Sequence, residues 1–595
     1  MLFDQEQKAR IHDTWRNLIA SEDFNNLPGR TSTDRIARSY ERLRLVNSVC
    51  GDAEELSRDP YRLASLHEWS GAVDGGLCTL ASVHYNLFLG SLTDHDEAGR
   101  DLSEFRDFRR TGTFLCTELE HGNDASSLQT TAVFDRTSGG FVLHTPTPGA
   151  QKFMPNTSTL GGQKSAVVAA RLLVDGEDQG VFLFLTPLSD EQGILPRVRV
   201  RPLPRRIGPT VDHCLTSFDH LWLPREAMLE AEHGRLSDDG TLVSTLGNRR
   251  KRFLQSIGRV TVGKLCMSAS GLGMARAALT IAVRYAHHRY ISGPKAGERI
   301  PLAAHRSHHG RLLYGLANAY AMTLLHRTVV SRWSRHTEDD RAEIERLAAM
   351  AKSWITWQAR DIAIECRERC GAQGLSPVNG LVDLQLNIEG AITAEGDNLV
   401  IYLKAASEML FNHRTSGLTN DIPCAEQSLA DVHYLRSLLA DIEAMWQSKA
   451  RAALRQGPAG NPVGRWNTAS SAAVKMVDAH VRLQAADALL AAAAEAVGPM
   501  PRFLLHKLAQ LFLLKELGEH TGDLLAEGRL HIDHVRQLSD TIEEAVADLA
   551  PHMMALVDAF DLPEEVLSAI PIANSGYSLR FNDLVGSVAD DAVGA

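Results

Sequence analysis

Thr130-Thr-Ala-Val-Phe-Asp-Arg-Thr-Ser-Gly-Gly-Phe-Val-Leu-His-Thr145 is the stretch that decides the fold class of this chain. Two β-favouring runs, Thr130–Phe134 and Phe141–Thr145, flank a segment with turn chemistry, Asp-Arg-Thr-Ser-Gly-Gly, and so read as a hairpin. A second pair follows, Ala166–Val174 and Val181–Leu185 around Asp-Gly-Glu-Asp-Gln-Gly, and Phe218–Leu223 reads as one further strand closed by Pro224. Outside about 111–225 the periodicity is helical. Near the N-terminus, Thr33-Asp34 can cap a segment whose apolar residues Ile36, Tyr40, Leu43 and Val46 recur at helical spacing. Ser82–Leu92 is mostly apolar and uncharged, and is expected to pack inside. From about 243 long periodic stretches run through 252–290, 302–334, 338–370, 396–412, 427–454, 468–496, 500–518 and 530–560, with Gln456–Gly464 as a Gly/Pro-rich joint. Helices, then strands, then two blocks of helices exclude an alternating βαβ architecture and with it a Rossmann domain. The expected fold is mainly α with a central β domain, divided at 1–110, 111–230, 231–430 and 431–595.

Length and composition agree with that division. A chain of 595 residues exceeds what one core supports. At 44% hydrophobic and 23% charged it is not a disordered sequence. The net charge of −11 is carried without a basic tract, which argues against a nucleic-acid partner. Eight scattered cysteines make no disulfide framework and suggest a reducing compartment. The opening MLFDQEQKARIHD has no apolar signal core, and the longest uncharged stretch, Leu312–Leu325, is too short to span a bilayer. The final Ala-Val-Gly-Ala is not a peroxisomal address. Of 62 basic residues only 12 are Lys, an Arg bias that hints at a GC-rich bacterial source. Together these features give the expectation of a bacterial cytoplasmic protein.

Several local patterns invite chemistry and do not sustain it. Ser270-Gly-Leu-Gly-Met-Ala275 has helical flanks instead of a preceding strand, so its glycines read as a close approach of helices, not a phosphate loop. His287, His288, His305, His308 and His309 lack the further ligand and the motif that a zinc site needs. Cys366 and Cys370 read as buried free thiols. There is no GxSxG elbow and no Walker A loop. In Ala391-Ile-Thr-Ala-Glu-Gly-Asp-Asn-Leu-Val-Ile-Tyr402, Glu395 stands just before an apolar helix start; by itself this is an acidic capping pattern.

Five segments in order give that last pattern another meaning. Thr113-Phe-Leu-Cys-Thr-Glu-Leu-Glu-His-Gly122, Ala282-Val-Arg-Tyr-Ala-His-His-Arg-Tyr-Ile-Ser-Gly293, Glu365-Cys-Arg-Glu-Arg-Cys-Gly-Ala-Gln-Gly374, Ala394-Glu-Gly-Asp-Asn398 and Leu556-Val-Asp-Ala-Phe-Asp-Leu-Pro563 resemble motifs of the acyl-CoA oxidases, within the acyl-CoA dehydrogenase superfamily. The resemblance covers nearly the whole chain. It implies an N-terminal helical domain, a β domain and two C-terminal helical bundle domains. It implies FAD as cofactor and Glu395 as the base that removes the α proton of an acyl thioester. Thr117 and Glu118 fall on the flavin-site strand, and Gly371 falls where backbone passes close to the cofactor. Arg289 matches the position that reaches the FAD of a neighbouring subunit, which implies a homodimer. Arg306 stands at a position usually held by Gln near FAD, and Asp397 follows the base among the cofactor-site positions. By the same resemblance the thioester oxygen is polarised by the backbone N–H at the base and by a ribityl hydroxyl of FAD.

There are departures. Phe153-Met-Pro-Asn-Thr157 replaces the family's W-W-P-G-G, and Ala372 replaces the second Gly of C-G-G, so the pocket over the flavin is expected to be reshaped. The implied activity is α,β-desaturation of acyl-CoA with O2 taking the electrons as H2O2. Two alternatives keep the fold: a dehydrogenase serving an electron-transfer flavoprotein, and action on a thioester carried by an acyl carrier protein. A flavin monooxygenase or a non-catalytic partner subunit would have no use for a base at Glu395.

Overall fold

The first expected hairpin forms, with Thr131–Asp135 antiparallel to Gly140–His144 and Phe134 opposite Phe141. The computed structural model describes residues 2–3, 5–25, 31–95, 99–237, 239–415 and 424–583; the terminal Ala-Val-Gly-Ala lies outside them. Two units divide the chain, Ile11–Leu18 with Gly29–Cys266, and Met1–Arg10 with Ile19–Pro28 and Met267–Ala595.

The first unit contains the strands of the described residues except one short pair, Tyr290–Ser292 with Arg299–Pro301, which belongs to the second. Lys164–Val174 pairs along its length with Glu177–Pro187, the second expected hairpin, whose turn residues Asp175 and Gly176 both have positive φ. On its other edge Lys164–Val174 runs parallel to Thr111–Leu115 and to Thr131–Asp135. Because this strand is covered on both faces, Ala166–Ala170 is a continuous buried run where a one-faced strand would alternate. A smaller sheet orders Lys152–Asn156, His213–Phe218 and Val198–Pro202. The single strand expected at Phe218–Leu223 is instead the end of one strand and the whole of another, Leu221–Leu223, because His220 turns the chain with a φ of +52°. Around the sheets, Ser32–Val49 is capped by Thr31, two residues before the expected Thr33, through a reciprocal capping box with Asp34. Ser82–Leu89 forms a buried π-helical segment, and its Phe88 ring lies where a Cβ on Gly112 would sit, 2.0 Å away, so only glycine fits there. The backbone N–H of Gly112 donates to Nδ1 of the buried His84.

The second unit is a stack of long helices. The chief ones are Arg306–Arg335, Arg341–Arg369, Leu381–Thr393, Asn398–Asn412, Val432–Gln456, Pro462–Glu495, Pro499–Gly518 and Ile532–Leu549. Pro499–Gly518 buries Leu504, Leu505, Leu508, Leu511, Leu513, Leu514 and Leu517; each such side chain contributes about 1.5–3 kcal/mol over leaving it exposed. The glycine pair of the Ser270–Ala275 stretch sits inside the helix Arg259–His288, and a Cβ at Gly271 would lie 3.5 Å from the Ala359 side chain, an ordinary helix–helix contact. That helix is long and apolar enough to cross a membrane by composition, with a mean hydropathy of 1.3, yet its whole apolar window is buried in protein. The expected 252–290 and 530–560 stretches are each broken, the first at Ile257-Gly258 and the second at Pro551. All eight cysteines are free; six are buried, Cys366 and Cys370 among them, and Cys116 and Cys424 are half-buried. Mainly helical structure around a central β region is the expected fold class.

Candidate active site

Leu381–Thr393 ends and Asn398–Asn412 begins within five residues, so Glu395 lies in a tight joint between helices. Glu395 has a φ of +60° and Gly396 a φ of +102°. The left-handed region suits glycine but strains a residue with a Cβ, by about 1–3 kcal/mol. Asp397 closes the joint: its carboxylate accepts the N–H groups of Leu399, at 3.0 Å, and Val400 as the N-cap of the next helix. This cap is a structural contact of Asp397; its place among the cofactor-site positions rests on the resemblance alone.

What holds the strained joint was not foreseen. Lys352, fully buried in the middle of Arg341–Arg369, donates to the carbonyls of Ile392 and Gly396 and to Oδ1 of Asn398, each at 2.8 Å. Asn398 in turn donates to the Ser353 carbonyl and to Oγ1 of Thr356. An ammonium with three N–H donors thus fastens both ends of the Glu395 joint to one neighbouring helix. Glu395 itself stays half-buried.

The other cofactor candidates of this unit differ in kind. Arg289 follows the last turn of Arg259–His288, and its guanidinium meets only the carbonyl of Tyr290, at 3.3 Å, with no carboxylate partner among the described residues. Arg299 reaches the same carbonyl at 3.0 Å. Gly371 has a φ of +57° with open space where a Cβ would be, and lies on the surface beside the exposed Leu375. Arg306 is another matter. Its guanidinium is engaged by Glu543, 2.9 Å from the carbonyl and 3.5 Å from the carboxylate, a tie between two helices of this unit, and its place near the cofactor rests on the resemblance alone.

In the strand-bearing unit, Thr117 is exposed just past the end of Thr111–Leu115, with its carbonyl taken by Phe153 N–H at 2.9 Å and with Leu119 exposed close by. Glu118 points the other way. Its buried carboxylate accepts from Lys152 Nζ at 3.0 Å, from Gln129 N–H, and from both the N–H and the hydroxyl of Thr130. Burial alone would raise its pKa; Lys152 and these donors outweigh burial and hold it below the ordinary range. Glu118 thus anchors the turn that carries Thr117, and its place on the flavin-site strand rests on the resemblance alone. Lys152 completes its three donors on the Cys116 and Ala169 carbonyls. The departing segment Phe153–Thr157 bulges, with Met154 at a φ of +67° and its carbonyl bonded to His213 Nδ1. Asn156 joins a second buried network of Tyr40, Lys164 and Asp212, in which Lys164 Nζ lies 2.7 Å from both the Tyr40 hydroxyl and the Asp212 carboxylate.

These features fit FAD. Within the helical unit, the Arg289 guanidinium, without a carboxylate partner among the described residues, suits a diphosphate, and the exposed backbone of Gly371 suits the approach of a ligand.

Comparison with known proteins gives the same family. Residues 258–410 match the acyl-CoA oxidase C-alpha1 domain, and residues 437–573 match the acyl-CoA oxidase model. The chain is 26% identical over 621 residues to peroxisomal acyl-coenzyme A oxidase 2 of Arabidopsis thaliana, covering 95% of this chain and 88% of that one. It is 30% identical over 356 residues to an acyl-coenzyme A oxidase-like protein of Mus musculus, covering 57% and 55%. In fold it is similar to acyl-CoA oxidase 3 of Yarrowia lipolytica, with a TM-score of 0.85, 21% identity and 98% and 89% of the two chains covered. It is also similar to acyl-CoA oxidase-1 of Caenorhabditis elegans solved with FAD and ATP, with a TM-score of 0.82, 20% identity and 96% and 90% covered. The expectation of a bacterial cytoplasmic protein is corrected by these relatives, which are eukaryotic and, for the plant and mammalian oxidases, peroxisomal. The chain belongs to the acyl-CoA oxidase family.

Proposed function

We propose that this protein oxidises acyl-CoA to the α,β-unsaturated thioester with Glu395 as the base. The observation that carries this reading is a carboxylate held on strained backbone, φ +60°, by a buried lysine at a helix start. A capping acid needs no such strain, and a strained position persists only where its surroundings enforce it. Removing the α proton of a thioester requires a base held at attack distance and shielded from water. Fixing Ile392 and Gly396 to the same ammonium limits the travel of the Glu395 backbone between them. When bound, FAD supplies the two-electron oxidation of the Cα–Cβ bond, and O2 accepts those electrons as H2O2. Arg289 supplies charge for the diphosphate, and by its family position we assign it to the FAD of a second copy, so that the working form is a homodimer. The substrate is taken as a CoA thioester; a carrier-protein thioester is the variant to be tested beside it.

The test is an anaerobic titration of the flavin-loaded protein with acyl-CoA, followed by air. Flavin bleaching by the thioester and stoichiometric H2O2 on aeration are expected. Bleaching that survives Glu395→Gln at near the original rate would remove Glu395 from its role. Reduced flavin that persists in air but yields promptly to an electron-transfer flavoprotein would place the chemistry with the dehydrogenases.

A further inference from the structure

We propose that His413, Glu443 and His480 bind a divalent transition-metal ion, Zn2+ by preference, at a site separate from the Glu395 joint. Three helical elements of one unit bring them together. His413 is the residue at which the helix Asn398–Asn412 ends, Glu443 lies midway along Val432–Gln456, and His480 lies midway along Pro462–Glu495. Their ligand atoms all lie within 4.8 Å of one another. Nδ1 of His480 is 3.0 Å from Oε1 of Glu443, and Nε2 of His413 is 2.5 Å from the same oxygen. The two rings stand edge to face, 4.8 Å apart at 75°.

Three observations favour a metal. The Glu443 side chain is 3% exposed, and no lysine or arginine pairs with it among the described residues, so its charge depends on the two imidazoles. A buried carboxylate between two imidazole nitrogens is a His2Glu donor set, which with one open position suits Zn2+. The second observation is the open position itself. His413 and His480 line a cavity of about 440 Å³ whose charged lining is mixed, with Arg332, Arg346 and Arg414 beside Glu343, which pairs with Arg332 at 2.7 Å. A metal held by these three ligands would turn its free position toward this polar cavity, a setting for a bound water. The third is preorganisation. His413 leaves the helix in an extended conformation, and its carbonyl accepts from Gln447 Nε2 at 3.0 Å, which fixes the ligand's backbone to the helix of Glu443. Metal–ligand distances of about 2.0–2.2 Å require the three donors to part by under about 1 Å, within reach of side-chain torsions.

The competing arrangement is a carboxylate hydrogen-bonded to two imidazoles with no ion. A second cluster, His144, Asp219 and His220, serves as a control: its Asp219 and His220 side chains are exposed, and its imidazoles stack on each other at 3.9 Å.

The experiment uses the full chain with its flavin, stripped with chelator and dialysed. Zn2+ content is measured by mass spectrometry, and Co2+ binding by visible absorption beyond the flavin bands. About one ion per chain is expected, with a Co2+ spectrum of low coordination number that Zn2+ abolishes. Glu443→Gln and His480→Gln should each weaken uptake by more than about tenfold, while His220→Ala should leave it unchanged. Uptake by the wild-type chain below about a tenth of an ion, or equal uptake by the Glu443 and His480 variants, overturns the proposal. If those variants fail to fold, the wild-type Co2+ spectrum decides alone: no visible band on titration refutes the site.

Discussion

The ammonium of Lys352 lies 2.8 Å from the carbonyl of Gly396, the residue immediately after the base. A side chain on one helix thus sets the backbone of the joint between two others. Lys352→Met keeps much of the volume and removes three donors at once, leaving the acceptors of Ile392, Gly396 and Asn398 without them. Each acceptor left buried and unpaired costs about 1–3 kcal/mol. We expect a lower melting temperature and, at temperatures where the variant is folded, a fall in the rate of flavin reduction of about 10–100-fold as the base loses its position. Stopped-flow reduction beside calorimetry measures both.

The strain at Glu395 predicts opposite outcomes for stability and activity. Glu395→Gly relieves a φ of +60° and should raise stability by about 1 kcal/mol. Glu395→Gln keeps the Cβ and with it the strain. Both should lose most flavin reduction, by more than about 10²–10⁴-fold. A glycine variant that melts no higher than the glutamine variant would show that the joint is not strained.

Arg289→Ala should release flavin. Its guanidinium has no carboxylate competitor among the described residues, so the loss falls on the ligand and not on the fold. Flavin content after gel filtration should drop while the melting temperature of the flavin-free protein stays put. The same chromatogram tests the homodimer: a monomer retaining full flavin would refute the shared site.

Acid should destabilise the strand-bearing unit through two buried histidines. Burial lowers His67 from 6.5 to about 4 and His84 to about 3. A histidine whose folded pKa is depressed contributes its full stability above the unfolded value near 6.5. That contribution is lost as pH falls from there through about 4 and about 3, because the unfolded chain takes up the proton first. The slope is at most about 1.4 kcal/mol per pH unit for each group. Urea midpoints between pH 7.5 and 5, spanning roughly the first half of that window, should fall for the wild type and fall less for His84→Asn.

Much of the fold was legible because turn chemistry and helical spacing are local. Asp175-Gly176 announces its hairpin, and the leucines of Pro499–Gly518 announce a buried helix. Glu395 was legible through the order of its motifs, but its left-handed backbone was not, since no local pattern requires it. The lysine anchors were missed for a related reason: burial of a charge depends on acceptors distant in sequence. A signal did exist. Lysines are rare in this Arg-rich chain, and Lys152, Lys164 and Lys352 are all fully buried, each making three hydrogen bonds. A compact ammonium fits where a planar guanidinium would not. Glu118, Arg306 and Asp397 were assigned by motif position, and the structural contacts each side chain makes were not legible there. His413, Glu443 and His480 are 30 and 37 residues apart along the chain and offer no spacing to read.

An enzyme that makes H2O2 is exposed to its own product at every turnover, and its working life depends on which of its sulfurs that product can reach. Peroxide attacks thiolates, not thiols. Burial pushes Cys50 up to about 11 and Cys78 and Cys370 up to about 12, and raises Cys214 and Cys366 as well. Six cysteines are thereby both sheltered from solvent and, for these five, kept protonated. The shelter is thinner at the half-buried Cys424 and Cys116, and Cys116 lies one residue before Thr117, which the resemblance places on the flavin-site strand. Oxidative ageing of this protein should therefore begin beside its source of peroxide, and replacing that one sulfur should lengthen the number of turnovers each molecule survives.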